Sequence, residues 1–285
     1  MRRRILQALI LILALAIPLL AQQPGGTPAP AIQPVRDGYH FPNGTVFHYD
    51  AEWRLLKAGS ASVRMDAAGA EERITATGDS IGVVALLFRV QDRFETYFDR
   101  HTFCSRSISK HSEEGTHKRD TIIHFDQARR KSVLDETNLR TGQKKHTEQD
   151  IPGCVTDVLS GMFYLGSLPL QPGSTYAFPI NDGGQTVNVR AVVEEREEIK
   201  TPAGTFRTVR VQPSPDLSVL RNRGKLWLWY TDDANHTLVQ MRTRLFWGAL
   251  TIQLARIDYP GSPATAEATP PAAGGRPATG AGNAR

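Results

Sequence analysis

From Val46 to Asp258, apolar and polar residues alternate in short runs that Gly, Pro or Asp interrupt every 8 to 12 positions. Successive strand side chains point to opposite faces, so a period of two means strands with one buried and one wet side. The first group of candidates is Val46 to Leu56, Ala61 to Ala67, Arg73 to Thr77, Phe88 to Phe98, Phe103 to Lys110, Lys118 to Phe125 and Lys131 to Leu134. A second group follows: Ser174 to Ile180, Thr186 to Glu195, Phe206 to Gln212, Lys225 to Tyr230, Leu238 to Leu245 and Leu250 to Asp258. Turn-forming residues separate them, as at Glu113-Glu114-Gly115, Asp182-Gly183-Gly184, Pro202-Ala203-Gly204 and Asp232-Asp233-Ala234-Asn235. Strands joined by such short turns pair antiparallel, and a sheet of about a dozen must curl, close or split into two layers. The expected fold is mainly β: one strongly curved antiparallel sheet forming a half-open or closed barrel, with a two-sheet sandwich as the alternative.

Between the two groups the period changes. Val155, Val158, Leu159, Met162, Phe163 and Leu165 recur at helical spacing, and Thr156 or Asp157 is placed to cap the start. Residues 155–166 are therefore expected to form the main helix, on the concave side of the sheet. Ser160 and Gly161 would allow close approach, although glycine costs about 1 kcal/mol inside a helix.

The ends of the chain differ from its middle. Arg2, Arg3 and Arg4 precede the apolar run Ile5 to Ala16, and Pro18-Leu19-Leu20-Ala21 leads into Gln22-Gln23, the layout of a secretory signal. The run is shorter than the roughly 20 residues of a membrane-spanning helix. Cleavage after Ala21 is expected, with retention as an anchor the alternative raised by bulky Leu19. Residues 22–36 read as a flexible linker, 37–260 as a single all-β domain, and 261–285 as a disordered Pro/Ala/Gly-rich tail. An exported protein is expected, periplasmic or associated with the outer membrane.

The formal charge of +5 invites a nucleic-acid reading, but five of the 34 basic residues lie in the signal and tail. What remains is 29 basic against 28 acidic groups, so nucleic acid is not an expected partner. Cys104 and Cys154 are the only cysteines. An oxidising compartment permits a disulfide worth roughly 3 to 4 kcal/mol, and two buried thiols fit the count equally well.

Several stretches together carry a family resemblance: Leu87 to Asp99, Thr156 to Tyr164, Thr201 to Phe206 and Trp227 to Asp233. Their order and spacing resemble the family catalogued as domain of unknown function 3108, over about Val46 to Leu254. The chain departs from that pattern at Leu165-Gly166 and at Asn235-His236-Thr237. The resemblance implies an exported bacterial protein with no established activity.

Some residues imitate catalytic motifs. Gly78-Asp79-Ser80-Ile81-Gly82 spells G-x-S-x-G, and Asp233-Ala234-Asn235-His236 spells the D-x-x-H of SGNH-type esterases. A nucleophile elbow needs a strand turning into a helix in a parallel α/β sheet, which this pattern does not supply. An esterase is therefore only a remote alternative, no catalytic residue is assigned, and no cofactor is expected. The eight histidines show no convergent ligand set, so no metal is expected.

A ligand cavity is the leading expectation. Val90, Asp92, Phe94, Thr96 and Phe98 share one strand face, placing a carboxylate among aromatics; there it needs a partner from a neighbouring strand or the helix, or serves as an anchor in a cavity. Leu226-Trp227-Leu228-Trp229-Tyr230 is apolar on both faces and so must be covered on both, with Phe246-Trp247 nearby. The lining candidates are Asp92, Phe94, Phe98, Asp157, Met162, Phe163, Trp227 and Trp229, and the ligand expected is a lipid, a lipidated chain or another apolar molecule. Curved sheets with a helix lid resemble lipoprotein carriers at the level of fold alone. The alternative is a structural or assembly partner of envelope proteins, using strand edges or the charged region 100–147. An integral membrane barrel is not expected, because strands such as Lys118 to Phe125 would turn charges toward lipid.

Overall fold

Alternation becomes burial along each strand: in β6 (His117–Asp126), Thr121, Ile123 and Phe125 point inward while Asp120, Ile122 and His124 point out. The structure, a computed structural model, describes residues 30–54, 56–215, 225–245 and 248–261. The signal segment, Phe246-Trp247 and the tail from residue 262 lie outside the described residues.

The first run of strands is β1 (Val46–Trp53), β2 (Leu56–Ala68), β3 (Glu71–Ser80), β4 (Val90–Asp99), β5 (Ser105–Glu114), β6, β7 (Lys131–Asn138) and β8 (Lys144–Asp150). The second is β9 (Thr175–Ile180), β10 (Val187–Thr201), β11 (Gly204–Pro215), β12 (Lys225–Thr231), β13 (Leu238–Leu245) and β14 (Gly248–Asp258). A short helix α1 (Gly82–Leu87) joins β3 to β4, and α2 (Val158–Ser167) lies between the two runs. Both runs are antiparallel meanders, and β1 pairs with β14, so one 14-stranded sheet has the order β8 to β1, then β14 to β9.

This order explains the helix. The free edges are β8 and β9, which are consecutive in sequence, so the link between them must cross from one edge of the curled sheet to the other. That link carries α2. It is sewn in on the way: Ser105 N donates to Val155 O, and Thr156 forms a parallel bridge with Ile180. The edges themselves do not pair, so the barrel is half-open.

Asp157 caps α2. Its carboxylate accepts from Ser160 N (3.0 Å) and from the hydroxyls of Ser160 (2.6 Å), Ser105 (2.6 Å) and Thr96 (2.7 Å). One buried acid thus fastens the helix to β4 and β5, and charge-assisted bonds of this kind are the strong ones. Tyr164 and Leu165 pack into a core shared by both halves of the sheet, with Met65, Ile74 and Phe98 on one side and Phe178, Val209 and Leu228 on the other. Cys104 and Cys154 form a disulfide that anchors the link just ahead of Val155.

The boundary expected at residue 36 moves toward the N-terminus. Ala31 N donates to Ala177 O, Gln33 N to the Tyr164 hydroxyl and Arg36 N to Ser167 O, so residues 31–36 belong to the packed domain. From there Tyr39 and Phe41 fold over the core as a strap.

Candidate functional site

Pairing register decides which side chains share the concave face. Phe47, Val63, Ala76 and Phe94 are consecutive cross-strand partners on β1 to β4, and Tyr49, Ala61, Gly78 and Asp92 form the adjacent inward row. The middle of each row is small. A methyl group at Gly78 would meet nothing within 4 Å. Ala61, Ala76 and Gly78 therefore leave a hollow, walled by aromatic side chains from β1 and β4 and by Met241 and Ile252.

Leu159, Met162 and Phe163 of α2 roof this hollow, and the strap at Tyr39, Phe41 and Pro42 closes one flank. The cavity measures about 420 Å³, within the usual range for small-molecule sites. His40, Asn235 and Tyr259, all exposed, mark where it meets solvent.

Among the polar groups of this lining, Asp92 and His236 are titratable and partly buried. Arg93, on the other strand face, pairs with Asp79 (3.0 Å) and donates to the Asp92 carbonyl. The Asp92 carboxylate finds hydrogen-bond partners on neighbouring β5, the Glu113 backbone and the Ser112 side chain, rather than a cation. Its buried Oδ1 has no hydrogen-bond partner, and burial, reinforced by the Glu114 charge, raises the carboxyl above its ordinary range. The other group is His236. Its Nδ1 donates to Gly166 O (3.0 Å), and Arg36 donates to its Nε2 (3.3 Å). Burial and the Arg36 charge both lower its pKa, as suits a neutral ring that locks the end of α2 to the β12–β13 turn.

The residues singled out from sequence divide evenly. Asp92, Phe94, Met162 and Phe163 line the cavity. Phe98 lies on the same strand face but further along, stacked on Phe103 (4.9 Å between centroids) inside the core. Asp157 is the helix cap. Trp227 and Trp229 do not line the cavity; they pack in the cluster that includes Val239, Leu254 and the cavity-wall residues Phe47 and Tyr49, and the Trp229 indole donates to Glu197 (2.8 Å). A register shift after Val193 carries the tip of the β10–β11 hairpin across to β14, where Ala203 N meets Leu254 O, and Ile199 and Phe206 cover this tryptophan. It is protein, not a ligand, that buries Trp229.

The small residues that open the hollow and the strap that flanks it carry no signal in the sequence. Alternating Ala and Gly mark no strand face until the register aligns Ala61 with Gly78, and Tyr39 and Phe41 sit in a loop that periodicity does not report. The esterase letters remain apart: Ser80 Oγ accepts from Val90 N (2.8 Å), and both ring nitrogens of His236 are engaged elsewhere. Among the described residues, no three His, Cys, Asp or Glu side chains are grouped to hold a metal ion.

The fold has solved counterparts. A beta-barrel-like protein of the domain of unknown function DUF1849 from Brucella abortus is similar over 76% of this chain and 98% of its own, with TM-score 0.51 and 8% identity. Weaker likenesses join a protein from Bacteroides fragilis described as exported with a YmcC-like fold (TM-score 0.35, 10% identity, 77% and 99% covered) and one from Parabacteroides distasonis described as a lipoprotein (TM-score 0.34, 11% identity, 81% and 100% covered). No curated protein matches the sequence. The model of one family, described as protein of unknown function (DUF3108), matches residues 48–255, and the chain belongs to that family.

Proposed function

We propose that this protein binds an apolar or amphipathic molecule, of the size and character of a lipid chain, in the cavity beneath α2, and that it does so outside the cytosol without chemical turnover. One observation carries the reading: about 420 Å³ of space lies between well-packed elements, bounded by Phe47, Tyr49, Phe94, Met162 and Phe163. Interiors are ordinarily packed to crystal density, and an apolar void of this size forfeits dispersion contacts that an apolar occupant would restore. Asp92 gives the occupant a direction. Its unpartnered Oδ1 suits a ligand hydroxyl or amine, with the apolar portion lying toward α2. The secretory layout of the N-terminus and the Cys104–Cys154 bond support work in an oxidising compartment.

The test is organic extraction of the natively exported, purified protein, followed by mass spectrometry. A lipid-class molecule is expected at near one equivalent. A protein that carries none, and takes up none when offered a fatty acid or phospholipid, refutes the reading.

A further inference from the structure

Nine large apolar side chains stand exposed among the described residues. Six of them, Leu56, Val83, Leu86, Leu87, Phe88 and Leu139, gather at one end of the sheet. Alternate turns of an antiparallel meander share an end, and direct contacts join these turns into one surface. Ile81 N donates to Ala58 O, Gly115 N to Arg89 O and Leu139 N to Lys118 O, while the Phe88 ring lies against Gly115. At its centre, α1 buries none of its side chains although five of its six residues are Val, Ala or Leu, and Leu86 is 87% exposed. A helix this short draws its stability from packing an apolar face, and here that face is turned to solvent.

Charge indicates what covers it. Arg54, Lys57, Arg89, Lys118, Arg140, Lys144 and Lys145 surround the apolar groups, against Asp50, Glu52, Asp79, Glu113 and Glu114, with Lys57 paired to Asp50 and Lys118 to Glu113. Cations are thus in excess here, although the region 36–260 as a whole is nearly balanced. The opposite end carries the disulfide and the strap, and there the large exposed apolar group is Tyr259. Apolar side chains within a cationic collar match a surface that is anionic outside and hydrocarbon within. We propose that this end, with α1 as its tip, docks on an anionic phospholipid surface, whatever occupies the cavity.

Flotation of the full protein with vesicles tests this. Vesicles of phosphatidylglycerol mixed with phosphatidylcholine should carry it upward, and pure phosphatidylcholine far less. Leu86→Glu with Leu87→Glu should weaken binding about tenfold or more, and Lys144→Glu with Lys145→Glu severalfold, with raised salt acting like the second pair. All four side chains sit on the surface, so circular dichroism and the melting temperature should stay unchanged; Leu86→Glu alone serves if the pair unfolds. Wild-type protein that fails to float, or floats equally after Leu86→Glu, overturns the proposal. So does a wild-type dimer that ignores vesicles and becomes monomeric on that substitution, which would assign the tip to a second copy.

Discussion

Strands β1 to β4 and strands β5 to β7 follow the same alternation, yet their concave faces are furnished differently. On β5 to β7 the inward positions are Ile108, Ile123, Phe125 and Leu134, and the link ahead of α2 inserts Ile151 and Val155 among them. The β9–β10 turn completes the filling: at Gly183 an added methyl would fall 2.6 Å from Ile123 and 2.7 Å from Leu134, and Lys110 reaches across to Asp182 (2.6 Å). On β2 and β3 the inward positions beyond Met65 and Ile74 include Ala61, Ala76 and Gly78, and nothing among the described residues replaces the missing volume. Side-chain size along the inward rows, not the strand pattern, thus determines which stretch is core and which is container.

The largest expected effect lies in the filled stretch. Ile123 is completely buried, so Ile123→Ala should cost about 4 kcal/mol in denaturant unfolding, removing contacts and leaving a void. A loss below about 1 kcal/mol would mean that this stretch is as loose as the other. Next is the tether of the insert: Cys104→Ser with Cys154→Ser should cost roughly 3 to 4 kcal/mol, because the bond closes a loop of 50 residues in the unfolded chain. Gly183→Ala follows at roughly 1 to 3 kcal/mol, since its φ of +94° disfavours a side chain and no room exists for one. An unchanged melting temperature for that variant would erase the contrast with Gly78.

Asp92 gives the smallest effect and a sign. Its carboxyl titrates above the unfolded value, so the native state binds more protons than the unfolded one between the two pKa values. Its contribution to stability is therefore complete below the unfolded pKa near 4 and is lost as pH rises through the folded one. Asp92→Asn should match the wild type near pH 3 and exceed it at pH 7, as read by melting temperature across pH. The reverse order at pH 7 would mean that Asp92 has a cationic partner.

Much of this architecture is legible in the letters. The strand runs place all but one of the fourteen strands, and the helical spacing from Val155 with a capping Thr156 or Asp157 finds α2 to within a few residues. β8 escapes because Lys144 to Asp150 is polar throughout, an edge strand with no buried face to generate alternation. The site is harder to see. Phe94 and Asp92 are identified by a shared strand face, but the same argument picks Phe98, because it cannot tell how far along the strand the hollow extends. Trp227 and Trp229 mislead for a different reason: an apolar pattern on both faces says that each is covered, and only the bend in β10–β11 determines by what. Asp157 is readable in the sequence both as one of two candidate caps and as a lining residue, and its four hydrogen bonds support the first role.

The contrast between the two stretches is tested most directly at Gly78. Its backbone conformation accepts a side chain and its missing Cβ faces the open cavity, so Gly78→Leu should fill the space with little change in melting temperature. Titration of a fluorescent fatty acid into wild type and variant should then show saturable binding to the first and a loss of about tenfold or more in the second. Equal binding by two equally stable proteins would contradict the claim that this hollow is where the ligand lies.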